Sequence, residues 1–93
     1  MAVSILIPAA LRAYTERQAE VEVNGSTAGE VIADLAARFP DIKKHLYKDE
    51  DNLRDFINVY AGDTNIKELD GLKTAVKDGD TVMLVPAIAG GLR

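Results

Sequence analysis

Side chains that commonly carry catalysis are scarce in this sequence. It contains no cysteine, which excludes disulfides, thiolate metal sites and cysteine nucleophiles together. His45 is the single histidine, and a serine nucleophile would require it as the neighbouring base. Because His45 lies in a segment of mixed charge between Lys43 and Asp51, we expect it at the surface or at a helix end. The sequence therefore predicts neither a catalytic triad nor a cage of histidines around a metal.

Two carboxylates, Asp78 and Asp80, have a spacing at which acids can act as a pair. They flank Gly79, and aspartate favours turns because its side chain hydrogen-bonds the nearby backbone. We therefore interpret residues 78–80 as a turn. The sequence also lacks a nucleophile elbow, a phosphate-binding glycine loop and the zinc-binding H-E-x-x-H pattern. No enzyme class is indicated, and no bound cofactor or metal is expected.

The last residues of the chain hold the remaining unusual pattern. Gly90 and Gly91 are adjacent and are followed only by Leu92 and Arg93. A glycine pair makes a thin and bendable segment, which could enter a cleft too narrow for side chains. The same dipeptide could also belong to a tail without function, so its interpretation depends on the fold from which it projects.

Hydrophobic periodicity predicts five strands. They cover residues 2–7, 18–23, 55–61, 65–66 and 81–85. The first is apolar on both faces, as in a central strand, whereas the second alternates polar and apolar residues, as in a strand with one solvated face. Pro86 is expected to end the last strand because it cannot donate a hydrogen bond. The connections at 8–14 and 71–76 are expected to have some helical character.

A helix is predicted to follow Thr27. Thr27 and Glu30 have the form of a capping box, with Ser26 as the alternative cap. Apolar residues then recur at helical spacing while charged residues occupy the other side, and Pro40 is expected to end the helix at or near the preceding residue. Residues 42–47 and 48–53 are predicted as a second short helix and an exposed acidic loop.

The order of these elements predicts an α+β fold. A hairpin, a helix and a return to the sheet form a mixed sheet of four to five strands, with one main helix packed on one face. A right-handed crossover would place the first and last strands side by side in the centre. This is the arrangement of a β-grasp, ubiquitin-like fold. We expect it to occupy residues 1–86, with residues 87–93 as a flexible tail.

Composition and charge agree with a single small domain. The chain has 93 residues, of which 47% are hydrophobic and 28% charged, and a net charge of −4, which argues against nucleic-acid binding because phosphates require a basic face. No apolar run approaches the roughly 20 residues of a membrane-spanning helix. The first residues lack the basic region and cleavage site of a secretory signal. We expect no membrane association and a cytoplasmic location.

Taken together, the motifs resemble a known family. In order, they are Ile7-Pro8-x-x-Leu11-Arg12, Gly25-x-Thr27-x-x-Glu30-Val31-Ile32-x-x-Leu35, Phe56-Ile57-Asn58-Val59-Tyr60, Gly71-Leu72-x-Thr74-x-Val76-x-Asp78-Gly79-Asp80-x-Val82 and Pro86-Ala87-x-Ala89-Gly90-Gly91. The order of these motifs and their spacing along the chain resemble those of the ubiquitin-like sulfur carriers of the ThiS/MoaD family. The last three motifs look most like the CysO-type branch, which serves cysteine biosynthesis.

The resemblance implies chemistry at the chain end. Gly91 would be the residue whose carboxylate is adenylated and converted to a thiocarboxylate, and the residues that would thread the tail into a partner are Gly90, Ala89, Ile88 and Pro86. The implied partners are an E1-like adenylating enzyme of the MoeB/ThiF type, which uses ATP, and an acceptor such as an O-phosphoserine sulfhydrylase. No cofactor would be bound by the carrier itself.

Leu92 and Arg93 depart from the family pattern. While they are attached, the Gly91 carbonyl is an unreactive peptide amide. One explanation is a precursor from which a JAMM-type metalloprotease cleaves the bond between Gly91 and Leu92. The others are that the two residues were added for expression, or that the protein no longer carries sulfur. We do not expect Arg93 to be the reactive terminus, because its side chain would block a narrow channel.

Docking would also need an apolar patch on the exposed sheet face. Which apolar strand residues point outward depends on register, and for each of them the core is the expected location. The candidates are Leu6, Phe56, Ile57, Met83 and Val85.

Four other functions remain open. The chain could be the small subunit of molybdopterin synthase or a thiamine sulfur carrier. It could instead be a protein modifier that forms isopeptide conjugates through Gly91, or a non-covalent binding module with an idle tail.

Overall fold

The computed structural model describes residues 2–49, 52–54 and 57–86. The strands are β1 (Ala2–Leu6), β2 (Glu20–Asn24), β3 (Ile57–Ala61), β4 (Thr64–Asn65) and β5 (Thr81–Pro86). The α-helices are α1 (Ala28–Arg38) and α2 (Pro40–Leu46). Short 3-10 helices lie at Ala9–Tyr14, Ile66–Glu68 and Gly71–Lys73.

The five strands form one mixed sheet in the order β2-β1-β5-β3-β4. β1 pairs with β5 in parallel, and every other pairing is antiparallel. The first and last strands therefore lie side by side in the centre, as predicted from their apolar sequences. α1 packs across one face of this sheet, and the predicted β-grasp arrangement is confirmed.

Strand alternation divides the sheet into two faces. The closed face lies under α1, and its side chains form the core. Core side chains that are at most 3% exposed on the strands are Val3, Ile5, Val23, Ile57, Val59, Val82 and Leu84. α1 supplies Val31, Ile32 and Leu35, each 0% exposed, at the spacing of one helix face. The opposite side, called the open face here, carries the remaining strand side chains.

The start of α1 uses a capping box that is shifted by one residue. Thr27 is the N-cap, and its Oγ1 accepts a hydrogen bond from the Glu30 N–H at 3.2 Å. The Glu30 carboxylate returns to Ser26 rather than to Thr27, accepting from its N–H at 2.8 Å and its hydroxyl at 2.9 Å. Both hydrogen bonds lower the pKa of Glu30, and the bond from the Ser26 backbone N–H has the larger effect. Thr27 is therefore the cap, and the alternative candidate, Ser26, is instead the residue to which the Glu30 carboxylate returns.

Pro40 both ends α1 and begins α2. Phe39 closes α1 with its N–H donating to the Leu35 carbonyl at 2.9 Å, and Pro40 is the first residue of α2. The second helix was predicted from residue 42. It starts earlier because proline suits the first helical turn, where no backbone donor is needed.

Several predicted boundaries differ from the structure. β2 starts at Glu20 rather than at residue 18, because the preceding turn holds Glu16 and Arg17 at φ of 55° and 66°. β4 ends at Asn65, since the Asn65 side chain accepts from the Lys67 N–H at 2.9 Å and opens a 3-10 turn at Ile66. The predicted strand residues 55–56 and part of the acidic loop, 50–51, lie outside the described residues.

No helix within residues 2–49, 52–54 and 57–86 is long and apolar enough to cross a membrane.

Candidate functional site

Pro86, the last residue of the chain that the structure describes, lies at the centre of one end of the sheet. β5 continues through Pro86, one residue further than predicted, with Pro86 opposite Ile57 of β3. The Gly62 N–H donates to the Thr81 carbonyl at 3.0 Å. Because hydrogen-bonded pairs alternate in antiparallel sheets, Pro86 falls at a position whose nitrogen points away from β3. Its missing N–H therefore costs β3 no hydrogen bond.

The predicted reactive and threading residues beyond Pro86 lie outside the described residues. They are Ile88, Ala89, Gly90, Gly91 and Leu92. Their roles in threading, adenylation and cleavage stay predictions, and so does the division of the chain into a domain and a tail.

A groove of about 440 Å³ lies beside Pro86. Its lining residues are Leu6, Ile7, Pro8, Arg12, Ala19, Glu20, Met83, Leu84, Val85 and Pro86. Arg12 is anchored there, since its Nε donates to the Ile7 carbonyl at 3.0 Å. The groove therefore combines an apolar surface with one cationic and one acidic side chain, directly beside Pro86.

The open face carries an apolar patch next to this groove. Leu6 of β1 lies opposite Met83 of β5, and Met83 lies opposite Tyr60 of β3. Val85 follows two residues later on the same face. Met83 is 36% exposed, and the other three side chains are half-buried. We call Leu6, Tyr60, Met83 and Val85 the apolar patch. A contiguous exposed apolar surface is typical of an interaction site.

The core location expected for the candidate patch residues is correct for one of them. Ile57 is buried on the closed face. For Met83 the expectation is wrong, because pairing with β1 and β3 turns it outward, and Leu6 and Val85 are only partly covered. Phe56 lies outside the described residues. Tyr60 was missed as a patch residue, although the alternation of Ile57 and Val59 already places it on the other face.

His45 has a structural role. It lies in the last turn of α2, and its ring stacks on the Tyr14 ring with the centroids 4.0 Å apart and the planes at 23°. This contact joins α2 to the 3-10 helix at Ala9–Tyr14. The expected helix-end position of His45 is confirmed.

Asp78 and Asp80 form the predicted turn. Asp78 Oδ1 accepts from the Ala2 N–H at 2.8 Å, and Asp80 Oδ2 accepts from the Lys77 N–H at 2.9 Å. Gly79 has φ of +89°, which favours glycine. Both carboxylates are thus engaged with the backbone. Among the described residues, no group of three or more His, Cys, Asp or Glu side chains could hold a metal ion.

Comparison with known proteins agrees with this architecture. Residues 5–91 match the model of the ThiS family. The sulfur carrier protein CysO of Mycobacterium tuberculosis is 40% identical over 93 residues, covering 98% of this chain and 100% of the relative.

Two solved structures have the same fold. A chain of the crystal structure of the Amycolatopsis orientalis BexX/CysO complex is 43% identical, with a TM-score of 0.87 over 97% of this chain and 100% of that one. The solution structure of the small archaeal modifier protein 1 from Methanosarcina acetivorans is 27% identical, with a TM-score of 0.87 over 97% and 96%. On this evidence, the chain belongs to the ThiS family.

Proposed function

We propose that this protein is a sulfur carrier whose C-terminal glycine, Gly91, is activated and thiolated after removal of Leu92 and Arg93. The observation that carries the proposal is the position of Pro86. It ends a central strand beside the apolar patch, and the sequence from there leads to the glycine pair. A partner that docks on the patch would hold the following residues next to its own active site. The similarity to CysO sulfur carriers supports the same function.

The chemistry requires activation because a carboxylate is a poor electrophile. A Gly91 carboxylate oxygen attacks the α-phosphorus of ATP, and pyrophosphate leaves, which gives an acyl-adenylate. Hydrosulfide then attacks the acyl carbon and AMP leaves, so that a C–S bond replaces the C–O bond and the thioacid loses its proton. The carrier contributes the carboxylate, and the E1-like partner of the MoeB/ThiF type binds ATP. No side chain of the carrier is needed as a catalyst, in agreement with the absence of cysteine.

Leu92 and Arg93 must be removed before this activation can take place. A JAMM-type metalloprotease would hydrolyse the peptide bond between Gly91 and Leu92 and release the dipeptide. The product has a free carboxylate on Gly91, with glycine at both of its last positions. This end is narrow enough to enter a channel that excludes side chains.

The proposed acceptor is an O-phosphoserine sulfhydrylase of cysteine biosynthesis. The support is the similarity to CysO proteins over nearly the full length. Co-purification with such an enzyme, rather than with a large subunit of molybdopterin synthase or a thiamine-forming enzyme, would assign the pathway.

Intact-mass spectrometry tests the proposal directly. Three chains, ending at Arg93, Gly91 and Ala89, are incubated with ATP, sulfide and a cognate activating enzyme. We expect the mass gain of one sulfur-for-oxygen exchange only on the chain that ends at Gly91. If that chain forms neither adenylate nor thiocarboxylate with an activator that is competent on another carrier, the proposal is wrong.

Protein modification through Gly91 is the second candidate function. The observation in its favour is the similarity to a small archaeal modifier protein. Peptides that carry a Gly-Gly remnant on lysine, recovered from cells that express the Gly91-ended chain, would support it. Their absence, together with thiocarboxylate formation, would leave sulfur transfer as the function.

A further inference from the structure

The outer edge of β2 presents backbone groups at Glu20 and Glu22 that no other described strand uses. Within residues 2–49, 52–54 and 57–86, β2 is the first strand of the sheet and pairs with β1 alone. Just beyond this ladder, the Ile7 N–H donates to the Ala19 carbonyl at 2.8 Å. Hydrogen-bonded pairs alternate along an antiparallel ladder. Glu20 and Glu22 are therefore at positions whose N–H and C=O point away from β1.

A hydrogen bond at Asn24 supports the outward direction of these backbone groups and marks where the accessible edge of β2 ends. Asn24, two residues after Glu22, also directs its N–H outward, and this N–H donates to Asp34 Oδ2 at 2.8 Å. Arg38 holds the same carboxylate oxygen at 2.9 Å. α1 thus closes the edge at Asn24. In the part of the chain that the structure describes, no strand pairs with the outward groups of residues 20–22.

The side chains at this edge are acidic and lie on the open face. Glu20 is opposite Leu6, and Glu22 is opposite Ser4. Both glutamates are exposed, and the ion pair recorded within the described ranges, Arg38–Asp34, involves neither of them. Residues 20–22 of β2 therefore combine two kinds of binding group. Two N–H groups and two carbonyls point outward from the edge, and two carboxylates lie on the open face.

A second copy of this chain is a poor occupant of the edge. Antiparallel pairing of two β2 edges would bring the glutamates of both copies together, and like charges that face each other across strands are destabilising. The favoured occupant is a strand of opposite charge. Its side chains opposite Glu20 and Glu22 would lie on the same face as the carboxylates, because directly opposed residues share a face.

We propose that residues 20–22 of β2 bind an extended segment of a partner protein, added as an antiparallel strand, with Lys or Arg side chains at alternate positions. The backbone groups supply affinity, and the two carboxylates select the basic residues. Ala19 and Glu20 also line the groove that contains Pro86, so a strand bound here lies beside Pro86. The binding needs no activation of Gly91 and stands independently of the proposed sulfur chemistry.

Two synthetic peptides test the charge requirement by NMR. The first alternates lysine and valine (acetyl-Lys-Val-Lys-Val-Lys-amide), and the second replaces each lysine with glutamate. The full-length protein is titrated with each peptide. We expect the lysine peptide to shift the backbone amide signals of Glu20 and Glu22 and to bind more weakly as salt is added. No shift at these amides, or equal binding of the glutamate peptide, would overturn the proposal.

N-methylated peptides test the strand pairing without any change to the protein. In antiparallel pairing, the lysine N–H groups point to Glu20 and Glu22, whereas the valine N–H groups point away. Methylation of the lysine nitrogens should weaken binding by about tenfold or more, and methylation of the valine nitrogens should have little effect. Equal losses from the two methylated peptides would exclude pairing at this edge.

Protein variants complete the test. Glu22→Gln removes one carboxylate and should weaken binding about two- to fivefold. Glu22→Pro also removes an N–H that the β1–β2 ladder does not use, and should weaken binding further while the amide spectrum stays dispersed. Glu68→Gln, at an exposed acid on a distant 3-10 helix, is the matched control and should bind as the unchanged protein does. A loss for Glu68→Gln equal to that for Glu22→Gln would indicate non-specific charge attraction and contradict the proposal.

Discussion

Leu6 and Met83 are directly opposed on the two central parallel strands, and both side chains lie on the open face. The sheet thus has apolar side chains at its exposed centre, beside the strand that leads to Pro86. Burial of this surface by a partner would be favourable at roughly 25 cal/mol per Å² of apolar area. Under the proposed function, a partner that docks on this pair would also lie next to Pro86.

Met83→Asp should therefore impair activation much more than it impairs folding. A charge at the centre of the apolar patch would have to be desolvated on docking. We expect kcat/KM for thiocarboxylate formation on the Gly91-ended chain to fall at least about tenfold, with a change in unfolding free energy below about 1 kcal/mol. Thr81→Asp, on the same strand and face but outside the patch, is the matched control. Equal losses for the two variants would argue against docking on the patch.

Gly90→Val in the Gly91-ended chain should block activation at the tail itself. A branched side chain next to the reactive carboxylate would displace it from the adenylation site, and misplacement by about 1 Å can lower a rate about a hundredfold. Single-turnover adenylation, followed by pyrophosphate release, measures the effect. Ala89→Gly, which removes a side chain from the preceding residue, should retain activity. A fully active Gly90→Val chain would contradict the proposed narrow channel.

The Glu30 carboxylate should stabilise α1 in a pH-dependent way. Its folded-state pKa lies below the ordinary value of 4.5 because the Ser26 N–H and hydroxyl donate to it. A lowered folded pKa adds stability above the unfolded pKa, and this contribution is lost as pH falls through the folded pKa. Glu30→Gln keeps an acceptor but cannot ionise. The difference in unfolding free energy between the two proteins should be largest near pH 7 and should shrink as pH falls through the lowered folded-state pKa of Glu30. A difference that persists in acid would show that charge is not its source.

Gly25→Ala should destabilise the connection between β2 and α1. A Cβ at this position would lie 2.8 Å from the Val31 backbone nitrogen and 3.0 Å from Glu30 atoms, so the start of α1 would have to move. We expect a loss of about 1–3 kcal/mol in urea unfolding. Gly62→Asn is the control, since Gly62 has φ of +64° with nothing near its Cβ and asparagine tolerates that conformation. If Gly25→Ala lowers the free energy of unfolding less than Gly62→Asn does, the close contact between residue 25 and the start of α1 is contradicted.

The Tyr14–His45 stack should contribute to stability and not to sulfur chemistry. A double-mutant cycle with Tyr14→Leu and His45→Gln is expected to give a coupling energy of about 0.5–1.5 kcal/mol. His45→Gln should leave the rate of thiocarboxylate formation unchanged, which activation assays measure at saturating partner concentration. A large drop in that rate with an intact fold would reopen a catalytic role for His45.

Local sequence determines much of this protein. The Thr27 cap, the stop at Pro40 and the turn at Gly79 depend on side-chain hydrogen bonds and allowed backbone angles within a few residues, so they can be predicted without the fold. Alternation identifies the closed-face residues for the same reason. The chemistry predicted for Gly91 also follows from sequence alone, by resemblance, and remains a prediction for the functional experiments to test.

Only the tertiary structure decides which apolar and polar groups are presented outward. Met83 and Ile57 both belong to apolar strands, yet strand pairing turns one to the open face and the other into the core, because a shift of one residue would exchange the faces. The outward N–H groups of Glu20 and Glu22 likewise depend on the register between β2 and β1, which no short stretch of sequence specifies. The sequence determined the elements, and long-range pairing between them determined the surfaces available to partners.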